Sequence, residues 1–135
     1  MYSYQRTVFY YETDQMGVVH HSNYIRWLEE ARSDFLRVIG LPYAVMEAAG
    51  VLSPVLAVEA RYLHAVRFGQ VVTVRPAMRD YTGVRFSFCY EIHNEEGLLV
   101  FEGQTKHAFV SPSFTPLHLR KAAPEMDRLL RQYET

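Results

Sequence analysis

A single cysteine, Cys89, is all the thiol that these 135 residues carry. No internal disulfide can form, which excludes the stapled framework of a small secreted domain and predicts a reducing, cytoplasmic setting. A surplus of positive charge is missing as well. Fourteen Lys and Arg stand against 15 Asp and Glu, for a net charge of −1, and a phosphate-backbone binder needs a basic excess. Nucleic acid is therefore not an expected partner. No apolar run approaches the ~20 residues that span a bilayer, and the opening MYSYQRTVFYYE lacks the basic-then-apolar layout of a leader. There is no Gly-x-Ser-x-Gly elbow, no Gly-Lys-Ser/Thr phosphate loop and no dinucleotide fingerprint, so serine-triad hydrolysis and nucleotide-cofactor chemistry lose support. Repeats, low-complexity tracts and linkers are absent too.

What is there is material for a core. With 49% hydrophobic and 14% aromatic residues, the chain can bury one compact domain, residues 1–135, and has no room for a second. Residues 3–11 are rich in Tyr, Thr, Val and Phe, which predicts a first strand. From Tyr24 the apolar positions Tyr24, Leu28, Ala31, Phe35 and Val38 recur at steps of three and four, and predict one long amphipathic helix over 22–39. Gly40 and Pro42 mark its stop. Residues 43–49 predict a short helical turn.

After Gly50 the period changes to two. Runs at 51–62, 71–81, 84–93 and 98–110 predict four strands, separated at Arg67-Phe68-Gly69, Thr82-Gly83 and Asn94-Glu95-Glu96-Gly97. Phe86, Phe88, Tyr90 and Ile92 share one face, which should lie on the helix. Pro124 sits where a first-turn proline would open a closing helix within 117–135, read as a lid or an interface element. Strand, long helix and antiparallel meander make an α+β layout.

The chemistry concentrates in YYETDQMGVVHHSNY, residues 10–24. Asp14 follows a strand and precedes Gly17, next to an apolar pair, and is either a turn cap or a partly shielded acid. Gly17 lets the backbone turn tightly or approach a ligand. The following helix entrance presents unpaired amides suited to a developing oxyanion. His20 and His21 with Glu12 and Asp14 invite a metal reading, but adjacent side chains point apart and no histidine recurs at four-residue spacing, so no metal is expected. His64, His93, His107 and His118 read as structural or exposed, Cys89 has no base beside it, and Glu29, on the flank of the apolar stripe, is either part of a solvated face or partly buried in a structural or catalytic role.

These residues closely resemble the opening of hot-dog-fold acyl-CoA thioesterases of the 4-hydroxybenzoyl-CoA thioesterase and YbgC type. The family pattern is a tyrosine, an aspartate four residues on, Gly-Val-Val, a histidine or asparagine, and then Tyr-x-x-x-x-Glu-x-Ala-Arg. Here it is carried by Tyr10, Asp14, Gly17-Val18-Val19, His20-His21 and Tyr24 through Glu29-Glu30-Ala31-Arg32. The resemblance implies a five-stranded antiparallel sheet wrapped around a central helix. It implies Asp14 as catalytic nucleophile or general base, with His21 and Tyr10 as companions, and Gly17, Val19, His20 and Tyr24 as substrate-binding positions. In the hydroxybenzoyl branch a tyrosine stands where His21 does, so the resemblance points to the backbone N–H at that position. Coenzyme A would be part of the substrate and not a cofactor, an acyl carrier protein thioester is the other carrier, and a homodimer or homotetramer is implied. Arg61, Arg67, Arg85 and Lys106 are either contacts for coenzyme A phosphates or solvated surface cations. The competing readings are a hot-dog dehydratase on 3-hydroxyacyl thioesters and a non-catalytic thioester-binding protein.

Overall fold

The computed structural model describes residues 1–135. In chain order they form β1 (Tyr4–Thr7), a 3-10 turn (Tyr10–Glu12), α1 (His21–Val38), α2 (Tyr43–Ala48), β2 (Val55–Tyr62), β3 (Val71–Arg79), β4 (Arg85–His93), β5 (Leu99–Ala108), α3 (Leu119–Ala122) and α4 (Pro124–Tyr133). The strands make one sheet in the order β1-β3-β4-β5-β2, every neighbouring pair antiparallel. The sheet wraps around α1 in the hot-dog arrangement.

The stripe read from α1 is the face it buries as far as Phe35; Val38, expected to continue it, is exposed in the last turn of the helix. Tyr24, Trp27, Leu28, Ala31, Phe35 and Leu36 are all buried. Phe35 meets Phe88 of β4 edge to face, with ring centroids 5.8 Å apart, and Phe86, Phe88, Tyr90 and Ile92 are buried as the alternation required. The helix stops as its chemistry dictates. Gly40 adopts φ 92°, Leu41 N–H donates to Leu36 O at 2.8 Å and Gly40 N–H to Arg37 O at 3.1 Å. These bonds form a Schellman closure with Leu36 and Leu41 both buried.

Three expected elements differ. The first strand ends at Thr7, and the chain then coils into the 3-10 turn because Phe9 N–H is drawn to the Glu12 carboxylate at 2.8 Å. Regular pairing of β2 starts at Val55, not Val51: Pro54 has no N–H to offer, and upstream the contact reduces to one bridge, Leu52 to Val110. The tail is no lid. Leu119, Met126 and Leu130 are buried in the main core, α4 opens with its proline, and Asp127 accepts the Tyr81 hydroxyl at 2.8 Å.

A polar line crosses the core between helix and sheet. Arg32 Nε donates to the Tyr43 hydroxyl and Nη1 to the Tyr90 hydroxyl, both at 2.9 Å. Tyr90 meets Thr105, and Thr105 meets His107 Nε2, at 2.8 Å each. Burial first, then the Arg32 charge, pushes the His107 imidazole down from 6.5 to about 4. Between those values His107 is neutral in the fold and protonated in the unfolded chain. The unfolded chain therefore binds the proton first, and stability falls as pH drops from about 6.5 toward about 4. The loss should reach roughly 3 kcal/mol. Urea denaturation across that range should show it, and His107→Gln should flatten the dependence; a variant keeping the wild-type slope would contradict the assignment.

Candidate active site

Residues 12–21 form a small antiparallel loop that delivers the chain into α1. Thr13 and Val19 are bridged, Asp14 N–H donates to Val18 O at 2.8 Å, and His20 N–H donates to Glu12 O at 2.9 Å. At the tip, Gly17 N–H donates to Asp14 O at 2.9 Å. Gly17 takes φ 80°, a conformation that a side chain disfavours.

Asp14 is half-buried. Its Oδ1 accepts Met16 N–H at 2.8 Å, closing an Asx turn, while Oδ2 receives no hydrogen bond from the chain. Val19 is buried and donates to Val66 O at 2.8 Å. His20 is the N-cap of α1, its Nδ1 accepting Ser22 N–H at 3.2 Å, which turns the imidazole into a helix-starting group. His21 is the first helical residue. Its ring stacks on His20 with centroids 4.2 Å apart, and its N–H, lying before the first intrahelical bond, has no acceptor in the chain.

Tyr24 is buried, stacked on Phe101 at 5.3 Å, and burial pushes its phenol up to about 12. It is a wall of the core under the helix entrance. Tyr10 is 75% exposed on the 3-10 turn, its ring set edge-on to Phe68 at 5.5 Å. No hydrogen bond joins it to Asp14 or His21. Of the four cations considered for phosphates, Arg67 reaches the loop, donating to Gly17 O at 3.3 Å, and Arg61 pairs with Glu102 at 3.1 Å. Glu29 is exposed, and Glu30 and Asp34 are the helix acids that take partners from β1 and its approach, Tyr4 and Tyr2.

A concavity of about 1040 Å³ lies elsewhere, over the outer sheet face around Ala77, Cys89 and Gln104; of the candidate site residues it is lined by Arg61 and by none of Tyr10, Asp14, Gly17, Val19, His20, His21 and Tyr24.

Sequence reasoning missed the group that holds the loop. Glu12 is 3% exposed. Its carboxylate accepts Phe9 N–H at 2.8 Å, Trp27 Nε1–H at 2.9 Å and the Arg6 guanidinium. Its carbonyl takes Asn23 Nδ2–H at 2.8 Å as well as the His20 amide. Burial alone would raise this carboxyl, but the bonds from Phe9, Trp27 and Arg6 outweigh it and hold it below the usual carboxylate range. The signal lay in three polar or aromatic residues far apart in sequence, Arg6, Glu12 and Trp27, which no local periodicity connects. Glu12→Gln keeps the shape but removes the buried charge that meets Arg6, leaving it only the more exposed Glu30 carboxylate at 2.9 Å. It should cost about 2–4 kcal/mol in urea denaturation, and a loss below about 0.5 kcal/mol would show the pair to be unimportant.

Comparison with known proteins agrees with this architecture. The model of the thioesterase-like superfamily matches residues 8–124. A Bacillus subtilis (strain 168) protein, provisionally named acyl-CoA thioesterase YneP, is 38% identical over 117 residues, covering 86% of this chain and 85% of that protein. The 1,4-dihydroxy-2-naphthoyl-CoA hydrolase of Thermosynechococcus vestitus is 34% identical over 107 residues, covering 77% of this chain and 72% of its own. The crystal structure of a DHNA-CoA thioesterase from Staphylococcus aureus superposes with a TM-score of 0.91 at 32% identity, covering 96% of this chain and 88% of that one. Fold and relatives together place the chain among the hot-dog thioesterases. The chain belongs to the thioesterase-like superfamily.

Proposed function

We propose that this chain hydrolyses acyl-CoA thioesters to a free carboxylic acid and coenzyme A, with Asp14 as the reacting carboxylate and the His21 amide as oxyanion donor. The observation that carries the reading is the pairing, within one hydrogen-bonded loop, of a carboxylate oxygen free of protein donors with an unpartnered first-turn amide. The thioester carbonyl oxygen would accept the His21 N–H, where the helix end favours negative charge. Asp14 Oδ2 then either takes a proton from water, whose hydroxide attacks the carbonyl carbon, or attacks that carbon itself to give an anhydride that water opens. In both routes the C–S bond breaks, and the coenzyme A thiolate leaves and is protonated. Glu12 and Asn23 hold the loop, and His20 starts the helix. The His21 and Tyr10 side chains, both exposed, are available to orient substrate or water.

Asp14→Asn is isosteric and keeps an oxygen for the Asx turn. Thiol release on a panel of straight-chain, branched and aromatic acyl-CoAs should fall by roughly two to four orders of magnitude with the fold unchanged by circular dichroism. Undiminished turnover would remove Asp14 from the mechanism. An enoyl product in place of free thiol would point to dehydration.

The working form is proposed to be a homodimer or homotetramer. β2 is an edge strand paired on one side, to β5, and exposes Val55, Leu56 and Val58 at 45%, 54% and 45%, a liability that a second copy would cover. Light scattering should return the mass of two or four chains, and Val58→Lys should shift it toward one. A single-chain mass for the unmodified protein would overturn the assembly.

A further inference from the structure

The connection from β2 to β3 touches residues 17–21 at three points. Tyr62, the last residue of β2, donates its hydroxyl to the His21 carbonyl at 3.0 Å. Val66, fully buried, accepts the Val19 amide at 2.8 Å. Arg67 Nη1 donates to the Gly17 carbonyl at 3.3 Å. The two segments run in opposite directions, so Tyr62 holds the helix-amide end and Arg67 the end beside Asp14.

Each holding group is itself fixed. The Tyr62 ring lies edge-on to Tyr24 at 5.1 Å, Phe101 at 5.3 Å and His21 at 6.3 Å. Burial raises its phenol, so the hydroxyl stays a donor. Arg67 N–H donates to Gln70 Oε1 at 2.7 Å, and Gln70 N–H returns to Arg67 O at 3.2 Å. Apart from the ties at Glu12, the loop's own hydrogen bonds run within residues 12–21, so between Asp14 and His21 the separation is held from outside the loop only by the three contacts of Tyr62, Val66 and Arg67.

We propose that residues 62–67 are a brace that sets the separation between the Asp14 turn and the His21 amide, with the Tyr62 hydroxyl and the Arg67 guanidinium as positioning groups. The inference rests on the hydrolase reading of that loop. Acid and oxyanion donor act on one carbonyl, and a misplacement of about 1 Å costs such a site on the order of a hundredfold in rate. Losing one brace point relaxes the geometry partway.

Tyr62→Phe removes one oxygen and keeps the aromatic contacts, and Arg67→Met keeps the apolar stem. On the acyl-CoA that the full chain turns over best, each should lower kcat roughly three- to tenfold at nearly constant KM. The double variant should lose less than the product of the two, because both act on one segment. An unchanged kcat in Tyr62→Phe overturns the brace at the helix end. A raised KM at constant kcat in Arg67→Met assigns that guanidinium to substrate phosphates and overturns it at the turn. Amide hydrogen exchange of the unliganded protein answers independently of turnover. The brace requires faster exchange confined to residues 14–24 in the double variant, and wild-type protection there refutes it. If that response appears in a protein that hydrolyses no thioester, the brace stands and the hydrolase reading falls.

Discussion

The Glu12 carboxylate is the interaction on which the rest of the architecture depends. One side chain joins three pieces of chain: β1 through Arg6, α1 through Trp27 and the 3-10 turn through Phe9. The same residue's carbonyl receives the His20 amide and the Asn23 side chain, so the entrance of α1 is located relative to the sheet. A buried carboxylate is stable only when its lone pairs are filled, and here burial is outweighed by donors from every side. The Arg6 guanidinium also lies 5.2 Å over the Trp27 ring, a cation–π contact that keeps Arg6 in place from a second direction.

The core divides its buried charges between two solutions. Arg6 is met by two carboxylates, Glu12 and Glu30. Arg32, 6% exposed, has no carboxylate within 4 Å, and its charge is met by two phenol oxygens, Tyr43 and Tyr90. Phenol dipoles stabilise a guanidinium without adding an acid that could titrate, and the cost falls on the neighbour, whose imidazole is held neutral. Arginine suits the place because its guanidinium stays protonated where a lysine would shed its proton.

Much of this was legible in the sequence, and the reason is local. The helix is written in steps of three and four from Tyr24 to Phe35, its stop in Gly40, and β4 in strict alternation from Phe86 to Ile92. The loop of residues 10–24 carries a family pattern dense enough to be read without a structure. What was not legible depends on distant partners. β1 stops at Thr7 because Glu12, fixed by Trp27 from 15 residues on, pulls the chain into a turn at Phe9. β2 shows no inside and outside in one chain, since neither face is covered. The contacts of Tyr62 and Arg67 span 41 and 50 residues, a range over which no periodicity carries information.

Two carboxylates stand two residues apart in this loop, and their surroundings divide the work between them. Glu12 is filled by Arg6, Phe9 and Trp27 and is buried beneath the helix entrance; moving it to meet a substrate would break the joint that places the helix. Asp14 commits one oxygen to its own turn and leaves the other unfilled at half burial. A reacting group must lose little on leaving its resting contacts, because every bond broken before attack adds to the barrier. By that criterion Asp14 is the acid suited to chemistry and Glu12 the acid suited to structure. The proposed reaction needs both: the free Asp14 carboxylate and the helix amide can act on one carbonyl only where a second, immobile carboxylate holds the helix entrance in place.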